Sequence, residues 1–146
     1  MTTQTRGRVG ATPLDLLAVF VGGLIGTTLR VLLDGAIPNA LDEFALSTLL
    51  VNVTGSFVLG LLVAALWPHV PGWVRVGLGP GILGSFTTFS ALAVSVVALA
   101  QSGDIVAAVL SIVLSIGFGM LAAWAGLALG ARLNPRQPPV ISEVDE

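Results

Sequence analysis

The sequence contains no cysteine, no lysine and a single histidine among its 146 residues. Without cysteine, disulfide bonds, thiol chemistry and a Cys/His metal cluster are excluded. Charged residues make up only 10% of the chain, which leaves no basic patch for a nucleic acid, so we expect no nucleic-acid partner. The histidine, His69, stands in a connector beside Pro68, and such an isolated side chain is expected to face solvent rather than to act as a catalytic base.

The long apolar segments also lack carboxylates and histidines in their interiors, since Asp15 and Asp34 lie at the edges of the first segment. A proton-coupled pump or exporter needs a titratable group within the membrane. The sequence shows no nucleophile and base pair, no pair of carboxylates and no phosphate-binding loop either. We therefore predict that the protein is not an enzyme.

Apolar residues dominate what is present. Hydrophobic residues make up 55% of the chain, and the mean hydropathy is +0.98, which indicates an integral membrane protein. Four apolar segments, at about residues 14–33, 46–67, 74–100 and 105–131, have the roughly 20 residues that a helix needs to cross the hydrocarbon. The sequence predicts an all-α protein of four transmembrane helices, with a polar segment at residues 1–13 and a disordered, proline-rich tail at residues 132–146. No cleavage site follows the first span, so it is expected to be retained.

Residues 77–92 of the third segment, GLGPGILGSFTTFSAL, are too apolar for an exposed loop and too rich in glycine and proline for a regular helix. Irregular backbone at membrane depth is tolerated where protein buries it or where it lines a polar cavity. Broken membrane helices often carry ion sites, because their ends present carbonyls to cations and amides to anions. The segment predicts a broken third helix, and the alternative is a glycine-kinked helix that packs closely against its neighbours.

The other three segments carry stripes of small or polar residues that recur every four positions and so share one helix face. The stripes are Gly22, Gly26 and Arg30 in the first segment, Asn52, Ser56 and Gly60 in the second, and Ser111, Ser115 and Gly119 in the fourth. Arg30 either serves a site or extends to the membrane surface, and Asn52 either makes an interhelical hydrogen bond or lines a polar path. Neutral donors can replace part of an anion's hydration shell without trapping it.

Three ordered motifs resemble the Fluc (CrcB-type) fluoride channel family, namely GGLIGTTLR, STLLVNVTGSFVLGLL and GILGSFTTFS in the first, second and third segments. The resemblance covers all four segments, from about residue 14 to residue 131. It implies a fluoride-selective channel that exports fluoride passively and lowers cytoplasmic fluoride. It also implies an antiparallel dimer, with fluoride pathways along the interface and a central structural sodium ion held by backbone carbonyls of both third helices.

Position by position, the resemblance assigns the sodium-binding carbonyls to Gly84 and Thr87. It assigns the fluoride pathway to Asn52, Phe89, Ser90, Ser111, Ser115 and Arg30. The family pattern TTFSTF reads TTFSAL in this chain, so Ala91 and Leu92 stand where the family has a threonine and a second phenylalanine. At least one of the two pathways formed with this subunit therefore departs from the family pattern.

The arginines predict a single orientation in the cell membrane. The N-terminus, the connector after the second segment and the C-terminus would share one side, and they hold Arg6, Arg8, Arg75, Arg132 and Arg136. By the positive-inside bias, both termini should be cytoplasmic. A chain with one orientation would need an oppositely oriented paralogous subunit to form an antiparallel dimer, whereas a homodimer would need the chain to insert both ways.

The residues leave other functions open. A small four-helix exporter of drugs or metabolites is one alternative, although the first-segment carboxylate that it would need is missing. A partner subunit with little conduction of its own is another. A structural membrane scaffold is the third, and it would not need the stripe of hydroxyl groups.

Overall fold

A computed structural model describes residues 10–37 and 44–134, and all of its regular elements are helices. Helix α1 spans Pro13–Ala36, α2 spans Leu46–Ala65 and α6 spans Ile105–Leu133. Together with the interrupted segment Gly72–Gln101, these give four helices within the described residues that are long and apolar enough to cross a membrane. The prediction of an all-helical protein with four such spans is confirmed. The polar N-terminal segment before residue 10 and the tail after residue 134 lie outside the described residues.

The helix ends follow local capping chemistry. The Thr12 side chain accepts a hydrogen bond from the Asp15 N–H at 3.2 Å, and Asp15 Oδ2 accepts one from the Thr12 N–H at 2.8 Å, so the two residues form a reciprocal cap at the start of α1. At the start of α6 the Asp104 side chain accepts from the Ala107 N–H at 2.9 Å. The turn before it contains Gly103 with φ +90°, which a residue without Cβ adopts readily.

The third span consists of four pieces. Helix α3, Gly72–Val76, continues into a π-helical segment, Gly77–Leu83, and then into one short helical turn, α4, Gly84–Phe86. Thr87 (φ −72°, ψ 153°) and Thr88 (φ −148°, ψ 123°) are extended, and α5 begins after them as Phe89–Gln101. Pro80 lies inside the π-helical segment and supplies no N–H to its ladder. The structure agrees with the predicted broken helix, and it shows that the interruption lies at the two threonines rather than among the glycines.

Glycines allow the helix backbones to approach each other closely in two places. Between α2 and α6, a Cβ at Gly60 would collide with the carbonyl oxygen of Ala123, and one at Gly126 would collide with that of Phe57. Between α1 and the π-helical segment, Cβ atoms at Gly22 and Gly26 would collide with the carbonyl oxygens of Gly77 and Ile82. Small residues bring helices together in this way in membranes, where apolar burial alone does not hold them.

The bundle has a small core and a large apolar exterior. Leu99 and Val51 are the largest side chains that are almost completely buried. Many large apolar side chains face outward instead, and Phe20 on α1 and Trp124 on α6 are 65% and 70% exposed. Such extended apolar faces are rare on soluble monomers and suit contact with lipid or with another subunit.

The helix ends differ from the predicted segment bounds by a few residues. Helix α2 ends at Ala65, and the remaining residues of the predicted second segment enter a 3-10 turn, Trp67–His69. Helix α6 continues to Leu133, so the first two residues of the predicted tail are helical. Both differences lie at helix ends, where hydropathy changes gradually and the end is set by capping and turn contacts.

Candidate functional site

The interruption of the third span is held by a side chain from another helix. Asn52 of α2 donates from Nδ2 to the carbonyl oxygen of Thr88 at 2.9 Å, and its Oδ1 accepts from the Thr88 N–H at 2.8 Å. Both polar backbone groups of Thr88 are therefore satisfied by one side-chain amide. The structure shows the interhelical hydrogen bond that the sequence left open for Asn52, and the same residue also lines the cleft described below.

This pairing removes helical hydrogen bonds from the carbonyls just before the break. In a continuous helix the Thr88 N–H would bond the Gly84 carbonyl, and the Ala91 N–H would bond the Thr87 carbonyl. Here the Thr88 N–H donates to Asn52, and the Ala91 N–H donates to Thr88 Oγ1 at 3.2 Å. The carbonyl oxygens of Gly84 and Thr87 thus lose their usual donors, at the helix end that carries partial negative charge.

The side chains of the two threonines stabilise the break itself. Thr87 Oγ1 donates to the Leu83 carbonyl oxygen at 2.9 Å, so this side chain folds back on the preceding turn. Thr88 caps the N-terminus of α5 through its Oγ1, which also lies 3.1 Å from Ser90 Oγ. Gly55 of α2 faces this region, and a Cβ there would collide with Thr87 Cγ2. The break is therefore stabilised by the threonine side chains and by the room that Gly55 of α2 leaves for Thr87.

A cleft of about 570 Å³ lies beside the break. Five of the eight predicted site residues line it, namely Asn52, Gly84, Thr87, Phe89 and Ser115. Most of the other lining residues are apolar, which is typical of sites where a few polar groups provide specificity. The structure thus brings together neutral donors from α2 and α6, the aromatic ring of Phe89 and both of the residues proposed to bind sodium through their carbonyls.

Three other predicted residues do not line this cleft. Ser111 is 3% exposed, and its hydroxyl donates to the Ala107 carbonyl oxygen at 2.8 Å, within α6. Ser90 is exposed next to the cleft, and its hydroxyl pairs with that of Thr88. Arg30 is partly buried on α1. The cleft therefore contains part of the predicted fluoride pathway, and the roles of these three residues stay predictions.

Several lining residues were not predicted as site residues. Ser56 lies one turn from Asn52 on the same stripe, so its spacing was a usable signal. Thr88 precedes a helix at a typical capping position, although only its contact with Asn52 reveals its part in the site. Leu92 is 7% exposed and also lines the cleft.

Trp67 lines the cleft from the turn after α2, and no sequence signal indicated it. Its ring lies against Gly79, where an added Cβ would be 3.3 Å from the nearest ring carbon. Its Nε1 is buried and has no hydrogen-bond partner within the described part of the chain. The ring therefore forms part of the cleft wall beside Gly79.

Four apolar helices, with a break that exposes carbonyls beside a cleft of neutral donors, define a small multi-pass membrane protein with the features of an ion channel. The family model described as "CrcB-like protein, Camphor Resistance (CrcB)" matches residues 17–127. The chain is 42% identical over 134 residues to "Fluoride-specific ion channel FluC 1" of Leifsonia xyli subsp. xyli, an alignment that covers 90% of this chain and 97% of the relative.

Two further relatives carry similar names. "Fluoride-specific ion channel FluC 2" of the same Leifsonia strain is 39% identical over 128 residues, which cover 84% of this chain and 88% of the relative. "Fluoride-specific ion channel FluC" of Rhizobium meliloti is 42% identical over 118 residues, which cover 78% of this chain and 94% of the relative. The chain belongs to the CrcB family. This confirms the resemblance, and it confirms that the protein belongs to a family of ion channels and not of enzymes.

Proposed function

We propose that this chain is a subunit of a fluoride-selective channel that lets fluoride leave the cell passively and so lowers cytoplasmic fluoride. The cleft supports this proposal most directly, because Asn52, Ser115 and Phe89 line it together. Hydroxyl and amide donors can replace water around a small anion, and the positive edge of an aromatic ring can add to their effect. No described residue of the cleft lining carries a charge that would bind an anion too tightly to release it.

We also propose a structural sodium ion at the break. The Gly84 and Thr87 carbonyls have lost their helical donors, and carbonyl oxygens are ligands that suit a hard cation. Among the described residues, no group of three or more His, Cys, Asp or Glu side chains could hold a metal ion, so main-chain oxygens are the fitting ligands there. A bound sodium ion would neutralise the negative helix end.

Two carbonyls from one chain would leave a sodium ion with too few ligands, which is why we propose an antiparallel dimer with two carbonyls from each subunit. The exposure of Phe89 supports a partner at this face, because its ring is 79% exposed although it borders the cleft. The partner is either a second copy or a paralogous subunit. Two relatives from one Leifsonia strain illustrate that a single strain can carry two such chains.

Fluoride efflux from liposomes tests the proposed function. The purified chain is reconstituted alone and with a paralogous subunit, with either fluoride or chloride inside the liposomes. We expect fluoride efflux down its own gradient, with little chloride efflux and no need for another ion gradient. Efflux only in the presence of the paralogue would identify a heterodimer. Absence of fluoride efflux from both preparations would contradict the channel and favour an exporter or a non-conducting subunit.

The two serines of α6 should differ in their effect on flux. Ser115 lines the cleft, whereas the Ser111 hydroxyl is bonded to the Ala107 carbonyl. Ser115→Ala is expected to lower fluoride flux roughly two- to tenfold, the value of one modest hydrogen bond. Ser111→Ala serves as the matched comparison and should change flux less than about twofold. Equal losses in liposome efflux would contradict the assignment of Ser115 to the path.

The orientation remains a prediction that a reporter can test. With both termini cytoplasmic, a reporter fused after Glu146 should be active only on the cytoplasmic side, because the arginines disfavour translocation of that side. The measurement uses a dual reporter with one domain that is active in the cytoplasm and one that is active outside it. We expect activity of the cytoplasmic domain alone. Comparable activity on both sides, together with fluoride flux from this chain expressed alone, would instead show a dual-topology homodimer.

A further inference from the structure

We propose that Asn52 controls cation binding at the break, as a positioning residue that keeps the Gly84 carbonyl free. This inference rests on the proposed sodium site and adds a role to Asn52 that differs from contact with fluoride. Asn52 Oδ1 accepts a hydrogen bond from the Thr88 N–H at 2.8 Å, and Asn52 Nδ2 donates one to the Thr88 carbonyl oxygen at 2.9 Å. Asn52 therefore acts on the cation through the backbone of another residue.

The argument depends on competition for one donor. The Thr88 N–H has two possible acceptors. One is Asn52 Oδ1 on the neighbouring helix, and the other is the Gly84 carbonyl, four residues earlier, which it would bond in a continuous helix. While the Thr88 N–H donates to Asn52 Oδ1, the Gly84 carbonyl oxygen has no helical donor and is available to a cation. If Oδ1 is removed, the Thr88 N–H would be unsatisfied in an apolar setting, which favours closure onto Gly84.

A side-chain amide is suited to this position because it offers a donor and an acceptor side by side. It reproduces the two hydrogen bonds that a neighbouring backbone would make to Thr88. Gly55, one turn along α2, leaves room for Thr87 beside it, since a Cβ there would collide with Thr87 Cγ2. The spacing of Asn52 and Gly55 on α2 thus holds both extended residues in place.

Sodium affinity tests this role with a readout that does not depend on flux. The thermal unfolding temperature of the purified channel is measured while sodium replaces N-methyl-D-glucamine. Asn52→Ala should raise the sodium concentration for half-maximal stabilisation by at least about tenfold relative to the unchanged protein. The matched control is Thr54→Val, an exposed position on the same helix outside the cleft, which should leave that concentration unchanged.

Asn52→Asp keeps Oδ1 for the Thr88 N–H but loses the donor to the Thr88 carbonyl. It should hold the sodium midpoint within about threefold of the unchanged protein, because the competing acceptor remains. Its negative charge should nevertheless reduce fluoride flux. If Asn52→Ala does not yield a folded protein, an Asn52→Asp midpoint raised about tenfold or more relative to the unchanged protein would by itself overturn the positioning role.

The outcomes separate this inference from the proposed function. An Asn52→Ala midpoint equal to that of Thr54→Val, or an Asn52→Asp midpoint as weak as that of a folded Asn52→Ala, would overturn the positioning role. Absence of any sodium effect on the unchanged protein would overturn it together with the sodium site. Normal sodium stabilisation with the expected shifts, but no fluoride efflux, would support the positioning role and contradict the fluoride channel.

Discussion

Gly26→Ala is expected to destabilise the protein and to reduce fluoride flux sharply. An added Cβ at this position would collide with the carbonyl oxygen of Ile82, in the π-helical segment next to the break. Because the obstacle is backbone, α1 must move away, and overpacking of this kind costs about 1–3 kcal/mol of unfolding free energy. The π-helical segment leads directly into Gly84 at the start of α4, so loss of this contact should also weaken the proposed sodium site.

Gly35→Ala on the same helix provides the control, since nothing lies within 4 Å of a Cβ at that position. Its thermal stability and liposome efflux should match those of the unchanged protein. A Gly26→Ala protein with normal unfolding temperature and normal flux would show that the α1 contact does not hold the break in position.

Phe89→Ala is expected to lower fluoride flux at least about tenfold, equal to about 1.4 kcal/mol of lost interaction along the path. The ring lines the cleft but is 79% exposed, so it buries little surface within this chain. Its removal should therefore change the stability of the isolated subunit by less than about 0.5 kcal/mol. Liposome efflux and thermal unfolding measure the two effects separately.

Phe20→Ala is the matched comparison, because that ring is 65% exposed on α1 and does not line the cleft. It should leave flux unchanged. Equal flux losses from the two substitutions would indicate a general effect of removing an exposed aromatic ring. A Phe89→Ala protein with unchanged flux would remove this residue from the proposed path.

Much of the fold follows from local sequence features. The four spans could be predicted because each apolar segment is long enough to cross a bilayer, and the broken third helix could be predicted from its glycines and Pro80. The sequence places Gly22 and Gly26 on one face of the first helix, and both residues meet the backbone of the third span. These features can be predicted because they depend only on the composition and periodicity of a single segment of the sequence.

The composition of the site depends on contacts between segments that are distant in sequence. Asn52 was visible as a polar residue in a span, but its bonds to the Thr88 backbone join residues 36 positions apart. Ser111 and Ser115 share one stripe, yet one hydroxyl is bonded within its own helix and the other residue lines the cleft. Periodicity identifies the face of a helix on which a side chain lies, whereas its hydrogen-bond partner depends on the distance and rotation of the neighbouring helix. Those quantities are set by packing, so the pairing that frees the Gly84 carbonyl is visible in the folded chain alone.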